Sequence, residues 1–391
     1  MSSRDRIGLL QEKLKEQQLG GALLFYSRDV FYYTGTAQPS YLWVLPDDYM
    51  LFIRSGFNFA LNEVFIEKER LRQDRQLENI YREISSRLKG KKIATELDIL
   101  PTAQFFKFQK IFSGCEFVDI SPIVLEQRKR KDALEINRIK EACEVIHEGH
   151  KAVLSNLREG ITELELSAAI ENAHRLAGHE GIFFMRQPDF FMSRGPIASG
   201  SNLSRFSGVV YSITGVGLSP AVPAGPSRRS ISKGDLVIVD IPTMVKGYHS
   251  DQTRTYILGK AGIEIEEMYN SLKEIADHLI ENISPGVKCS EIFQMAVDKA
   301  GELNTIDAFL NFGEGKKSHM IGHGIGLECT EPPIISKYDH SELSEDSVIA
   351  LEMHMFREDV GVVKLEDMTL ITHNGNELLT KSPRRLFEIQ C

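Results

Sequence analysis

The sequence predicts an α/β domain over residues 1–124, followed by a larger domain over residues 125–391 in which helices and strands segregate as in an α+β fold. Three observations carry that division. Strand-like apolar runs alternate with helical patterns as far as Asp119. Long helical periods then occupy 132–155, 163–176, 264–282 and 289–303. The last third of the chain reads mostly as strand.

Residues 4–18 place Ile7, Leu10 and Leu14 on one helical face among charges. Ala22-Leu-Leu-Phe-Tyr26 is a buried strand, and Tyr41 to Arg54 a hairpin reversed at Pro46-Asp47-Asp48, residue types suited to tight turns. Lys92–Thr95, a helix near 102–112 and Glu116–Asp119 continue the alternation. This part carries no cluster of metal-type ligands and no glycine-rich phosphate loop, so its expected task is shape, oligomer contact or substrate access. In the second domain Ile136, Ile139, Ala142, Ile146 and Val153 mark a long helix. Thr162, with Glu165 three residues on, sets a capping box for the helix over 163–176. From Ser193 to Gly225 small and apolar residues alternate in a stretch rich in glycine and serine, which predicts strands joined by loops.

Composition narrows the function classes. Hydrophobic residues at 42% and charged residues at 26% are ordinary for a chain that buries a sizeable core. A net charge of −9 argues against a nucleic-acid partner, which needs a basic face. The one dense basic run, Arg128-Lys-Arg-Lys131, reads as a solvated linker or helix start. Five cysteines, an odd count without a CxxC pair, fit reduced thiols in a cytoplasmic protein better than a disulfide framework. The N-terminus leads into an amphipathic stretch, and no run of about 18 apolar residues occurs, so neither a secretory leader nor a membrane span is expected.

The chemistry gathers in the second domain. Asp240 closes the strand Asp235-Leu-Val-Ile-Val-Asp240, and Asp251 lies in the strand-like Gly247–Tyr256. A hairpin turning symmetrically about Val245-Lys246 sets Asp240 opposite Asp251, with Cβ atoms roughly 4.5–5.5 Å apart. Val348–Glu352 and Gly361–Glu366 form a second such pair, symmetric about residue 359, that opposes Glu352 and Glu366. Paired acids at the ends of apolar strands repel unless a cation lies between them. Taken singly, each acid is better read as a surface or ion-paired group; the four together weaken that reading. His323 sits in Gly322-His-Gly-Ile-Gly-Leu327, where glycines permit a tight backbone. One imidazole with four carboxylates suits Mn, Co, Fe or Zn. Sharing among them implies two divalent ions roughly 3.5–4 Å apart.

These residues resemble the pita-bread metallopeptidase family that includes methionine aminopeptidase, prolidase, aminopeptidase P and creatinase. Asp240 matches its first aspartate, Ser250-Asp251-Gln-Thr-Arg-Thr its second, and Gly322-His323-Gly-Ile-Gly-Leu its histidine signature. Ala350-Leu-Glu352 and Lys364-Leu-Glu366-Asp367 match its two glutamate strands. The first domain is similar to the extra domain of prolidase, aminopeptidase P and creatinase. The resemblance therefore implies a pita-bread second domain and hydrolysis of short Xaa-Pro peptides by a metal-activated water, with Glu352 as proton acceptor. It also implies His319 on the substrate side and a homodimer.

The sequence departs from that pattern at the site. Ala224 stands where the family has a histidine upstream of the first aspartate, and Thr330 where it has another in a His-Glu-x-Pro motif. The family's Glu-Pro-Gly becomes Glu352-Met-His354, and Lys364, opposite His354 in the hairpin register, replaces an arginine. Asp240 is followed by Ile241-Pro242 where the family has an apolar residue and glycine. Losing one oxyanion or leaving-group donor lowers rates on the order of 10²–10³. Either His354, Thr330 and Lys364 compensate, with His354 joining the catalytic set, or the reaction differs. The alternatives are a small-molecule hydrolase or lyase on this scaffold and a catalytically inactive binding homologue.

Overall fold

The computed structural model describes residues 3–190, 195–208 and 212–390, and the chain divides into two compact units, Met1–Arg128 and Lys129–Cys391. The sequence expectation put the break at residue 124.

The first unit alternates α1 (Ser3–Glu16), β1 (Gly21–Leu24), α2 (Ser27–Thr34), β2 (Ser40–Leu45), β3 (Asp48–Ile53), α3 (Phe57–Glu63), β4 (Leu71–Gln73), α4 (Leu77–Ser85), β5 (Lys92–Thr95), α5 (Thr102–Ile111), β6 (Glu116–Asp119) and α6 (Ser121–Lys129). Its six strands form one mixed sheet in the order β4-β3-β2-β1-β5-β6. The β2–β3 hairpin turns at Pro46-Asp47, with Leu45 opposite Asp48, as the turn residues predict. One face of the sheet is covered by an aromatic cluster of Trp43, Phe52, Phe108 and Phe112. Arg128, near the end of α6, is buried in an ion pair with Asp29 of α2 at 2.8 Å. Lys131 is likewise buried against Glu331 at 2.9 Å. Half of the basic run is thus interior. Each charge has a carboxylate to meet, which a count of consecutive cations does not reveal.

The second unit repeats one organisation twice: two helices, then a hairpin that bears acids. The first round is α7 (Ala133–Asn156), α8 (Glu163–Leu176), β7 (Ile197–Ser199), β8 (Leu236–Asp240), β9 (Thr243–Val245), β10 (Tyr248–Ser250) and β11 (Thr253–Leu258). The second is α9 (Ile263–Asn282), α10 (Cys289–Glu302), β12 (Met320–Gly324), β13 (Glu331–Ser336), β14 (Val348–Arg357) and β15 (Gly361–Thr372), with β16 (Gly375–Leu378) and β17 (Phe387–Ile389) closing the chain. Both long N-terminal helices of this unit start in capping boxes, Asp132 with Glu135 and Thr162 with Glu165. The strands form sheets ordered β17-β11-β8-β7 and β13-β12-β14-β15-β16, beside the β9–β10 ladder. Along β8 the apolar residues alternate between two cores. Val237 and Val239 pack with α7 and α8 residues, and Leu236 and Ile238 with Ile213 and Val362.

The glycine- and serine-rich stretch departs from expectation. Among its described residues it contains a single short strand, β7, and a 3₁₀ turn at Gly200–Ser204. Its Ser199 and Asn202 are anchored by Glu163, a buried carboxylate at the start of α8. Glu163 accepts hydrogen bonds from the Ser199 amide (2.7 Å) and hydroxyl (2.7 Å), the Asn202 amide group (2.9 Å) and the Ser227 amide (2.9 Å) and hydroxyl (2.6 Å). A side-chain anchor replaces a strand ladder, so period-two patterning there does not report sheet.

Candidate metal centre

The turn chemistry of the first hairpin sets where its acids lie. Lys246 (φ 50°) and Gly247 (φ 83°) both adopt positive φ, as the central pair of a primed two-residue turn requires. The reversal is therefore centred one residue later than Val245-Lys246. Every cross-strand partner shifts by two, and Asp240 faces Thr253, not Asp251. Ile241-Pro242 and Asp251-Gln252 lie outside the strands, which splits the hairpin into a β8–β11 and a β9–β10 ladder. The second hairpin has the expected register: Glu352 opposes Glu366, and His354 opposes Lys364.

All five acid and imidazole side chains nevertheless converge. Asp251, His323 and Glu366 each present one ligand atom within 4.8 Å of the others, and so do Asp240, Glu352 and Glu366. Four of the five are buried, and Glu352 retains slight exposure. Glu366 belongs to both groups, and threonine side chains fix its strand. The Thr253 hydroxyl donates to Glu366 Oε2 at 2.8 Å, and that of Thr255 donates to the Lys364 carbonyl at 2.7 Å. Arg254, fully buried, donates to the Glu366 carbonyl (2.6 Å), to Asp367 (2.6 Å) and to the Ser382 carbonyl (2.8 Å). These bonds tie β11 to β15 and bring acids from two sheets to one place.

His323 lies in β12 between β13 and β14, and its flanking glycines have a steric reason. A Cβ on Gly322 would meet the Ala350 carbonyl oxygen at 2.3 Å, and one on Gly324 the Pro332 carbonyl oxygen at 2.3 Å. His323 Nδ1 bonds the Gly324 carbonyl at 3.0 Å, which puts the proton on Nδ1 and leaves the Nε2 lone pair toward Glu352 Oε1, 3.8 Å away.

The electrostatics divide the cluster. The Lys364 ammonium, itself buried, lies 2.6 Å from Asp240 Oδ2, 2.7 Å from Glu352 Oε2 and 2.7 Å from Ser212 Oγ. Burial works to raise the Glu352 carboxyl, but neighbouring positive charge, the Lys364 ammonium foremost, outweighs it and holds that carboxyl below its usual range. On the other side Lys364 also pulls Asp251 and Glu366 down, but burial and the neighbouring acids outweigh it. Burial, then the charge of Asp240, push Asp251 up to about 8, and burial with Asp251 drives Glu366 well above the carboxylate range. Buried like charges favour a proton or a metal ion.

The remaining expected residues are placed as follows. His319 is exposed, edge-on to Tyr338 at 5.7 Å between ring centroids, and lines a cavity of about 1400 Å³. Ser212, on Asp240 and Lys364, connects that cavity to the acids. His354 is buried, its Nε2 3.0 Å from the Asn311 carbonyl and its ring 4.4 Å from that of Phe312. Burial and the Lys364 ammonium push its pKa down to about 4. A neutral ring that donates from Nε2 offers only an acceptor at Nδ1, so His354 is no stand-in for a missing donor. Ala224 is buried and Thr330 half-buried. Besides the Lys364 ion pairs, two contacts were not anticipated: Ser212 on Asp240, and the Cys329 thiol, which donates to Asp251 Oδ2 at 3.4 Å. Cys329 directly precedes Thr330, the one signal in the chain that could have marked it. His249 and Tyr248, beside Asp251, are interior supports. His249 accepts from the Phe184 amide at 3.0 Å and donates to the Gly326 carbonyl at 2.9 Å, and the Tyr248 hydroxyl donates to Glu135 at 3.1 Å.

Comparison with known proteins gives concordant matches. Residues 137–373 match the model of metallopeptidase family M24, and residues 6–130 that of the Creatinase/Prolidase N-terminal domain. An Xaa-Pro dipeptidase from Pyrococcus horikoshii is 26% identical over 386 residues, 98% of each chain. Among solved structures, the prolidase from Pyrococcus horikoshii superposes with a TM-score of 0.81 at 25% identity, over 98% of this chain and 99% of the other. An Xaa-Pro dipeptidase from Bacillus anthracis superposes with a TM-score of 0.84 at 23% identity over the whole of both chains. No helix among the described residues is long and apolar enough to cross a membrane.

Proposed function

The chain belongs to metallopeptidase family M24, and from that premise we propose that it is a divalent-metal-dependent hydrolase of short Xaa-Pro peptides. The observation that carries the reading is the convergence of Asp240, Asp251, His323, Glu352 and Glu366 into two overlapping groups of ligand atoms. The donor set fits such an ion: a free imidazole nitrogen, and buried carboxyls that repel one another. Mn, Co, Fe and Zn all suit it.

When bound, a divalent ion supplies a Lewis acid and lowers the pKa of the attacking water toward neutrality. Glu352, kept ionised beside Lys364, accepts the proton of that water. The cavity admits the peptide, and its wall of Phe206, Phe312 and Phe356, with centroids 5.3 and 5.8 Å apart, suits an apolar prolyl ring. His319 meets the substrate at the cavity surface. The same reading takes the protein as a cytoplasmic homodimer. The thiols of Cys115, Cys143, Cys289 and Cys329 are free, in keeping with a reducing compartment.

The test is release of proline from Xaa-Pro dipeptides by Mn- or Co-reconstituted protein, with loss of release on chelation. A fully metallated protein that frees no proline would refute the peptidase reading. Ala224, Thr330 and the acceptor-only His354 favour a second reading, a small amide or related molecule as substrate. A panel of small amides, betaines and sulfonium compounds, screened with the same metallated protein, distinguishes the two.

A further inference from the structure

An ammonium group has three protons to donate, and Lys364 has three acceptors in hydrogen-bonding range: Asp240 Oδ2 at 2.6 Å, Glu352 Oε2 at 2.7 Å and Ser212 Oγ at 2.7 Å. Two of these belong to side chains of the Asp240–Glu352–Glu366 group of ligand atoms. The Lys364 side chain is 2% exposed. Its backbone is held on both sides, the amide donating to Thr255 Oγ1 at 2.9 Å and the carbonyl accepting from the same hydroxyl at 2.7 Å. His354 lies directly across the ladder, itself pinned to Asn311 and Phe312. The positive charge is therefore built into the strand and screened little by solvent.

The other group is differently placed. Among the described residues, no ammonium or guanidinium lies in hydrogen-bonding range of the side-chain oxygens of Asp251 or Glu366; those oxygens take up a thiol, a neighbouring amide and a hydroxyl. Glu352 spans the two sides. Its Oε2 faces Lys364, while Oε1 turns toward His323 Nε2 at 3.8 Å.

We infer that the Lys364 ammonium is a resident cation for the Asp240–Glu352 half of the centre, so that the chain binds a single divalent ion, at Asp251, His323 and Glu366. The inference rests on the metal-centre reading above and specifies its occupancy. A second ion held by Asp240 and Glu352 competes for oxygens already bonded to a fixed positive charge. Compact and buried, the lysine ammonium is a point charge that can take the place of an ion. Asp240 then acts through Lys364 as a positioning residue.

The test is metal stoichiometry, not turnover. Metal-stripped protein is titrated with Mn²⁺ by calorimetry, and bound metal is counted after dialysis. Wild type takes up one ion per chain, with the spectrum of an isolated Mn²⁺. Lys364→Met takes up two, with a spin-coupled spectrum. Should that variant not fold, substitutions at the acids decide. Asp251→Asn and His323→Ala weaken the ion by more than about 100-fold, whereas Asp240→Asn weakens it by about 10-fold or less, the scale of an outer-sphere partner. Two ions per wild-type chain, or equal damage from Asp240→Asn and Asp251→Asn, would overturn the inference and leave the metal-centre reading standing. Folded wild type that binds no ion would overturn that reading itself.

Discussion

Glu352 shows how much a single side chain is asked to do, since its two oxygens face His323 and Lys364. Glu352→Gln removes the proton acceptor and keeps the shape. We expect proline release to fall by about 10²–10⁴-fold with the main ion retained, checked by kinetics and metal analysis on the same sample. His174 gives a prediction of a different kind. Burial pushes it down to about 4 from an ordinary value of 6.5. The unfolded chain then binds the extra proton between those values. His174 opposes unfolding least at low pH: its contribution is complete above 6.5 and lost as pH falls toward 4. In metal-saturated protein, the stability of wild type relative to His174→Leu should therefore decline as pH drops from 7 to 4, read from urea midpoints. At this scale the convergence of the five ligand-type residues was legible, because four acids paired across strand-like runs are unusual and His323 sits among glycines, although the strands run on past Glu352 and Glu366 to Arg357 and Thr372. The reach of Lys364 was not. The register placed it opposite His354, but pairing within a ladder does not tell where a flexible four-carbon stem ends.

Among the elements, the two hairpins show what sequence symmetry can fix. The β14–β15 register follows from opposing apolar strands over ten paired positions, Val348–Leu370 to Arg357–Gly361, so a symmetric reading suffices. The β8–β11 register depends on one backbone fact, the positive φ of Lys246, a residue whose type does not announce it. The 193–225 stretch misled for a related reason: its Ser199 and Asn202 are anchored by Glu163, more than 30 positions upstream in sequence, and no local pattern encodes such a bond. The α7–α8 contact was likewise invisible. A Cβ at Gly149 of α7 would lie 2.0 Å from Nε2 of His174, whose ring is buried between the helices. Gly149→Ala should destabilise the protein by about 1–3 kcal/mol through overpacking, despite alanine's better helix propensity, as chemical denaturation would show.

On the scale of the molecule, every ligand-type residue of the centre lies in the unit Lys129–Cys391, and the sheet of the first unit contributes none. Divalent metal should therefore slow amide exchange in β8, β11, β12, β14 and β15 and leave β1–β6 little changed. At free metal near 100 times its dissociation constant, the protected state gains about 2.7 kcal/mol. Hydrogen exchange with and without Mn²⁺ measures both. Helical periods followed by strand-like runs were legible at this scale, and the pita-bread architecture followed from the resemblance of the motifs around Asp240, Asp251, His323, Glu352 and Glu366. The division between chemistry and chamber was not legible, because it depends on Glu163. That carboxylate clasps Ser199 before, and Asn202 within, the turn whose Gly200, Ser201 and Leu203 form part of the cavity wall. The doorway is hung from α8, while the furnace is bricked into β8, β11, β12, β14 and β15. What is admitted is thus set partly by residues that α8 holds and partly by Phe356 and Val362 of the furnace strands, so drift in the former can change the diet of this protein without relighting the fire.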